Sequence, residues 1–376
     1  MTRVLLVFEP PDGGVAEQVK QLALNLGRWG FDVELAGPEE SIIYPALEAA
    51  GLPFARLPFE RGYGSPGRDS AALRRLTGVL RARRPALAHC HSAKAGVLGR
   101  IAGRLTGTPV VYSPHSFPFV GDFSEVRRRF ALGVERALAP LTAATVCVCE
   151  FERRIAIDQR VGSPARLRVV HNGCPPCRPV EPDPGLLAFA EEGPVAAALT
   201  VLREQKSVDV LIDAAPRVLG ELPEARVAVV GDGPLREQLA ARAAQLGLDR
   251  EPRFAFLPFR APAARYLAAM DLYVLPSAWE AFPIGVLEAQ ACGVPQLATD
   301  VGGTGEAVDR STGRLVPARD PAALAAGMCE LLGDSELRRR MGEASRERHA
   351  ERFTVERMLA GTANLYRNLL AGRFPC

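Results

Sequence analysis

The sequence is poor in everything that marks a membrane-spanning, disulfide-stapled or metal-binding chain. No apolar stretch approaches the roughly 20 residues that a membrane helix needs. The opening run Val4-Leu5-Leu6-Val7-Phe8 ends at Glu9, too short for the core of a secretory signal. A cytoplasmic protein is therefore expected. Cysteine is sparse, with 8 in 376 residues, and makes no disulfide framework. Cys174-Pro-Pro-Cys177 is a C-x-x-C, and Cys147 and Cys149 form a C-x-C, but no second C-x-x-C or H-x₃-H completes a metal set. These cysteines are read as small residues in a reducing compartment, and no metal site is expected. Aromatics are 6% of the chain and do not interleave with its basic residues, so nucleic acid is not an expected partner. No short repeat or low-complexity tract appears.

What is present is an ordinary globular composition, 48% hydrophobic and 24% charged, in a chain long enough for two domains at roughly 150 residues each. The net charge of +3 hides an asymmetry. Residues 1–178 hold 24 Lys and Arg against 16 Asp and Glu, and residues 51–178 alone hold 21 against 8. Two readings are open. The basic half meets an anionic surface or phosphate-bearing acceptor, or it carries a solvated Arg-rich face.

Short β-branched runs alternate with helical patterns, the signature of parallel sheets with crossover helices. Strands are expected at Val4–Phe8, Val33–Ala36, Leu87–Cys90, Val110–Ser113, Ala144–Val148 and Leu167–Val170. A Pro- and acid-rich linker, Cys174–Gly185, follows. The pattern restarts with strands at Val195–Leu199, Arg226–Val230, Arg253–Phe256, Leu272–Leu275, Pro295–Thr299 and Gly313–Val316, and ends in a helical tail. The expected fold is α/β, with two Rossmann-like doubly wound domains and ligand in a cleft at the carboxyl ends of their strands. Their bounds are set at 1–178 and 179–352, with a helix over 353–376 that returns to the first domain.

The richest chemistry lies between Leu272 and Pro295. A buried strand runs into a loop with Glu280, and a helix starts near Ile284 and stops at Gly293, a suitable C-cap before Pro295. Its N-terminus offers free N–H groups and a positive dipole to a diphosphate, though Pro283 has no N–H to give. Glu288, one turn in, is placed to accept from a ribose diol if it faces the ligand; otherwise it is a solvated residue and Glu280 a loose cap. Arg203 and Lys206 pair two cations at a helix start, where the dipole disfavours them unless an anion binds. Gly231-Asp-Gly233-Pro234 is a strand-to-helix turn without the third glycine of a dinucleotide fingerprint. Gly13-Gly14 opens a helix after the first strand and lets a backbone approach phosphate or sugar. His91, Lys94 and His115 follow strand ends, with Phe117 and Phe119 just beyond.

The segment around Glu280 and Glu288 resembles the Glu-x₇-Glu signature of glycosyltransferase family 4. Pro276-Ser277 and Thr299-Asp-Val-Gly-Gly-Thr-Gly-Glu306 match its flanks, and Lys206, Gly231-x-Gly233-Pro234, Gly13-Gly14, His115, Glu150 and Asn172-Gly173 match further positions. The chain departs from the pattern at Val201, where the family has arginine, at Ser207, where it has glycine, and at Cys149, where it has serine. The resemblance implies a GT-B fold and retaining transfer from a nucleotide sugar, with uridine diphosphate the commonest carrier and no metal or other cofactor. It places Glu280 and His115 at the reacting sugar, Lys206 and Arg203 on the leaving diphosphate, and Glu288 on the ribose. Gly13, Gly14, Gly231, Gly233, Ala281, Phe282, Ile284 and Gly285 line the donor. His91, Lys94, Phe117 and Phe119 are candidates for the acceptor side. The acceptor itself is open between a lipid-linked saccharide, with peripheral contact to the inner face of an anionic membrane, and a soluble small molecule. A sugar-nucleotide epimerase is the alternative within the fold, and a nicotinamide-dependent oxidoreductase the disfavoured one outside it.

Overall fold

A computed structural model of the chain describes residues 1–59 and 66–373. It divides into two compact units, Met1–Asn172 with Val355–Cys376, and Gly173–Thr354. The first boundary falls at Asn172 where 178 was expected, because the Cys174–Gly185 stretch belongs to the second unit. Residues 374–376 of the expected tail lie outside the described residues.

The first unit is built on β1 (Thr2–Phe8), β2 (Phe31–Gly37), β3 (Phe54–Arg56), β4 (Leu87–His91), β5 (Val110–Ser113), β6 (Ala144–Cys147) and β7 (Leu167–Val169). They form one sheet in the order β3-β2-β1-β4-β5-β6-β7, with every pair parallel. The short β3 at the sheet edge was not anticipated. It has only three residues, none fully buried, and so lacks the apolar run that betrays a strand. The central β4 is buried at all five positions even though two are histidines. The Val355–Leu370 helix packs within this unit, with Tyr366 edge-on to Phe31 at 5.4 Å between ring centres.

The second unit carries β8 (Val195–Leu199), β9 (Arg226–Val230), β10 (Phe254–Leu257), β11 (Leu272–Leu275), β12 (Gln296–Thr299) and β13 (Gly313–Val316). Their order, β10-β9-β8-β11-β12-β13, is again doubly wound and parallel. In both sheets the order reverses beside the first strand of the unit, which is where such folds collect ligands. Small residues line β8, where Ala196, Ala197 and Ala198 are all fully buried, so helices seat close on both faces. The stretch read as a linker contains a helix, Pro184–Ala190, for which Asp183 accepts the N–H groups of Gly185 and Leu186. The expected Ala263–Met270 helix is shorter, Ala264–Leu267.

One covalent feature corrects the cysteine reading. Cys177 is joined to Cys292, 115 residues away, with their Cα atoms 4.9 Å apart, so it pairs neither with Cys174 nor stands free. Cys174 is buried outside the disulfide, and its thiol donates to Pro175 O at 3.3 Å. Among the described residues no helix is long and apolar enough to cross a membrane.

Candidate functional site

In the second unit the loop after β11 brings two predicted residues, Lys206 and Glu280, to one place with Ser277. Lys206 Nζ lies 2.5 Å from Glu280 Oε1, and the Ser277 hydroxyl donates to the same oxygen at 2.7 Å. Glu280 is buried, whereas Lys206 is partly open to solvent. The pairing follows from backbone stitching. Ala278 N–H donates to Gln205 O at 2.8 Å, Gln205 Nε2 donates to Trp279 O at 3.0 Å, and Thr299 Oγ1 donates to Ser277 O at 2.6 Å. Ser207 has φ of +43°, the left-handed conformation that explains why the family pattern carries glycine there.

Among the glycines of this unit that cannot be replaced without displacing backbone, Gly302 and Gly231 stand at the strand ends. A Cβ on Gly302 would stand 1.7 Å from Glu280 O, and one on Gly231 1.9 Å from Thr200 O. Gly302 thus lets the strand-end loops close on Glu280. Gly231 and Gly233 let the Thr200–Leu202 turn lie against the β9 end, where Leu202 N–H donates to Asp232 O at 2.9 Å. Arg203 opens the turn that ends at Lys206.

The Ile284–Cys292 helix begins as expected and ends on Gly293, which has φ of +74°. Among the described residues the Ile284 and Gly285 N–H groups have no acceptor, so the positive end of the helix is open. Buried Tyr273 meets the N-terminal turn at Gly285, and its phenol is pushed upward by burial and then by the nearby Glu288 and Glu280 carboxylates. Both signature glutamates are therefore close to one tyrosine. The Phe282 side chain does not line a ligand; it is buried 5.5 Å from the Phe353 ring.

The first unit gathers uncharged groups at the ends of β4 and β5. His89 contacts Tyr366 OH at 2.6 Å and Ser113 Oγ at 2.8 Å, and His91 Nδ1 lies 3.0 Å from His115 Nε2. Burial holds His89 down at about 3 and His115 at about 4, and His91 well below the usual range, with neighbouring histidines adding repulsion for His89 and His91. All three rings are neutral at neutral pH. His91 Nε2 is buried without a hydrogen-bond partner among the described residues. Gly13, with φ of +77°, and Gly14 form the first turn of the Gly13–Asn25 helix, and the space where a Gly13 Cβ would stand is empty. The other acceptor-side expectations fare differently. Lys94 is buried and paired to Asp69 at 2.9 Å. Phe117 and Phe119 stack on each other at 5.1 Å inside the core with Tyr112 and Ala131.

The family described as "Glycosyl transferase 4-like domain" matches residues 13–173, and "Glycosyl transferases group 1" matches residues 193–334. D-inositol 3-phosphate glycosyltransferase of Salinispora arenicola is 33% identical over 334 residues, covering 79% of this chain and 73% of that protein. The chain belongs to glycosyltransferase family 4. It is a glycosyltransferase that takes its sugar from a nucleotide-sugar donor, with the two-domain GT-B fold. A second relative, the UDP-Gal:alpha-D-GlcNAc-diphosphoundecaprenol alpha-1,3-galactosyltransferase of Escherichia coli, is 28% identical over 63% of each chain. Among solved structures, HepE from Anabaena in complex with UDP and glucose superposes with a TM-score of 0.82 at 22% identity, covering 98% of this chain and 100% of that one.

Against this family background, three participants escaped the sequence reading of roles. Ser277 stands in the sequence only as a flank of the signature, and Tyr273 only as a strand position. Glu152 carries a local signal, since its spacing from Cys149 is that of a capping box. Among the described residues no three His, Cys, Asp or Glu side chains form a group able to hold a metal ion.

Proposed function

We propose that the protein is a retaining glycosyltransferase that moves a sugar from a uridine diphosphate sugar to a saccharide acceptor on a lipid diphosphate. The observation that carries the donor half is the Lys206–Glu280 contact at 2.5 Å, in the same unit as the open N-terminus of the Ile284–Cys292 helix. A cation and a helix dipole suit a diphosphate whose charge grows as the glycosidic bond breaks, and they act selectively on that charged state. Arg203 adds to this positive end, so no metal ion is needed. Glu280, freed by donor phosphate from its hold on Lys206, receives sugar hydroxyls, and Glu288 receives the ribose. The neutral His115 donates to the sugar, with His91 beside it and Gly13 and Gly14 offering backbone. Retention follows the family: the acceptor oxygen attacks the face that the diphosphate leaves, and its proton passes to the departing oxygen.

The acceptor half rests on two observations. The named acceptors of both relatives carry phosphate. In the first unit the Glu125–Leu138 helix exposes Val126 at 81% and Phe130 at 63%, one turn apart, alongside Arg127, Arg128 and Arg129. An apolar pair on a basic helix suits an anionic membrane face better than open water.

The test offers a panel of α-configured uridine diphosphate sugars with a lipid-diphosphate saccharide or a soluble sugar phosphate, in the presence of EDTA. An α-linked product on the lipid acceptor is expected. A β-linked product would refute retention, and transfer to the soluble acceptor alone would refute the lipid assignment. Conversion of donor without acceptor would identify an epimerase.

A further inference from the structure

Glu152, the third residue of the Glu150–Asp158 helix, is a buried carboxylate that binds no cation among the described residues. Its Oε2 accepts the Val148 N–H at 2.7 Å, and its Oε1 accepts the Ser116 N–H at 2.8 Å. The first bond is local, since Val148 directly precedes the helix cap Cys149, whose Sγ accepts the Glu152 N–H at 3.4 Å. In an ordinary capping box the acidic side chain would turn back to the cap residue's own N–H. Here it reaches one residue further, and across to the loop after β5.

That loop is unusual. His115 and Ser116 are consecutive non-glycine residues with φ of +52° and +97°. Side chains disfavour this region, and residues persist in it when surrounding structure holds them there. Among the described residues the Glu152 carboxylate is the only acceptor for the Ser116 N–H, and none is present for the His115 N–H. The other hold on the turn is the ring contact between His115 and His91 at 3.0 Å.

We infer that Glu152 is a positioning residue for His115, fixing the left-handed His115-Ser116 turn by accepting the Ser116 N–H while Val148 N–H anchors it to the neighbouring strand end. The inference rests on the reading above that His115 addresses the donor sugar. Glutamine at 152 keeps the volume, but its single carbonyl oxygen satisfies one of the two N–H groups and its amide nitrogen opposes the other. The turn then relaxes and the His115 ring leaves its place.

The test uses the full chain with labelled histidine. Glu152→Gln is expected to lower kcat several-fold, by less than His115→Ala does, while the donor KM stays within about twofold, and to shift the His115 ring resonances. Ser116→Gly alone is expected to leave kcat unchanged. In the double variant it is expected to recover most of the loss, because glycine takes a positive φ freely. Unshifted His115 resonances in Glu152→Gln, or a loss that glycine does not recover, would overturn the positioning role. A shifted ring in Glu152→Gln together with full turnover by His115→Ala would uphold the positioning and refute the sugar-facing reading. Should Glu152→Gln not fold, the unaltered protein decides. Its Ser116 amide is expected to resist hydrogen exchange, and exchange at an open loop's rate would overturn the inference.

Discussion

The two units repeat one topology and keep different chemistry at the carboxyl ends of their strands. The second unit holds a charged pair, Lys206 and Glu280, next to strand ends closed by glycines and in the same fold as an open helix N-terminus. The first holds three buried histidines that burial keeps neutral, with hydroxyls of Ser113 and Tyr366 between strands and tail. One arrangement is suited to a leaving group that gains charge. The other is suited to hydroxyl groups, which need a directed donor or acceptor and no net charge. A shared fold therefore says little about what each unit does, and the strand-end residues say most of it.

Removing charge from the second unit is expected to have the largest effect. Glu280→Ala and Lys206→Ala should each cut turnover by about 10²–10³-fold, the scale of losing one directed electrostatic contact in a transition state. His115→Ala should cost less, about tenfold. Steady-state kinetics decide the ranking, and a larger loss from His115→Ala would invert the comparison.

The next effect concerns stability. Cys177–Cys292 closes a loop of 115 residues wholly inside the second unit. Cys177→Ser is expected to destabilise that unit by about 2–4 kcal/mol and to leave the first unit as it was. Hydrogen exchange resolved by residue reports the two units separately. Equal loosening of both would mean that they do not unfold independently.

Acid should act on the first unit. Its three clustered histidines have folded values below 6.5, so the unfolded chain binds more protons between pH 6.5 and about 4, and stability falls as pH drops through that window. Glu152 works the other way. Burial raises it to about 7 against the pull of its two N–H bonds, so its share of stability is lost as pH rises from about 4.5 to 7. Three groups against one give net acid loss, expected as earlier exchange in the first unit than in the second at pH 5. Replacing both Val126 and Phe130 by serine should have the smallest effect. Binding to anionic vesicles is expected to weaken several-fold without change in thermal midpoint, and unchanged binding would remove that helix as the membrane contact.

Much of this was legible in the sequence. Both sheets were, apart from the edge strand β3, because buried parallel strands write themselves as runs such as Val195–Leu199 and Arg226–Val230. The family and its nucleotide-sugar chemistry were also legible, through Glu280, Glu288 and Lys206. What escaped depends on distance along the chain. Lys94 meets Asp69, Glu152 meets Ser116, and Cys177 meets Cys292 only after folding, and no local spacing announces these pairs. Phe117 and Phe119 show a different limit, since an aromatic just past a strand end fills a core or faces a ligand with the same sequence signature. The Pro184–Ala190 helix was readable in principle. Asp183 and Pro184 are good N-cap and first-turn residues, but the surrounding prolines and acids spelled a linker.

The most direct measurement is calorimetric titration of uridine diphosphate into the unaltered protein, Lys206→Ala and His115→Ala. Binding should weaken at least tenfold in Lys206→Ala and stay unchanged in His115→Ala. Equal affinity in all three, or a loss confined to His115→Ala, would contradict the assignment of the donor diphosphate to the charged pair of the second unit.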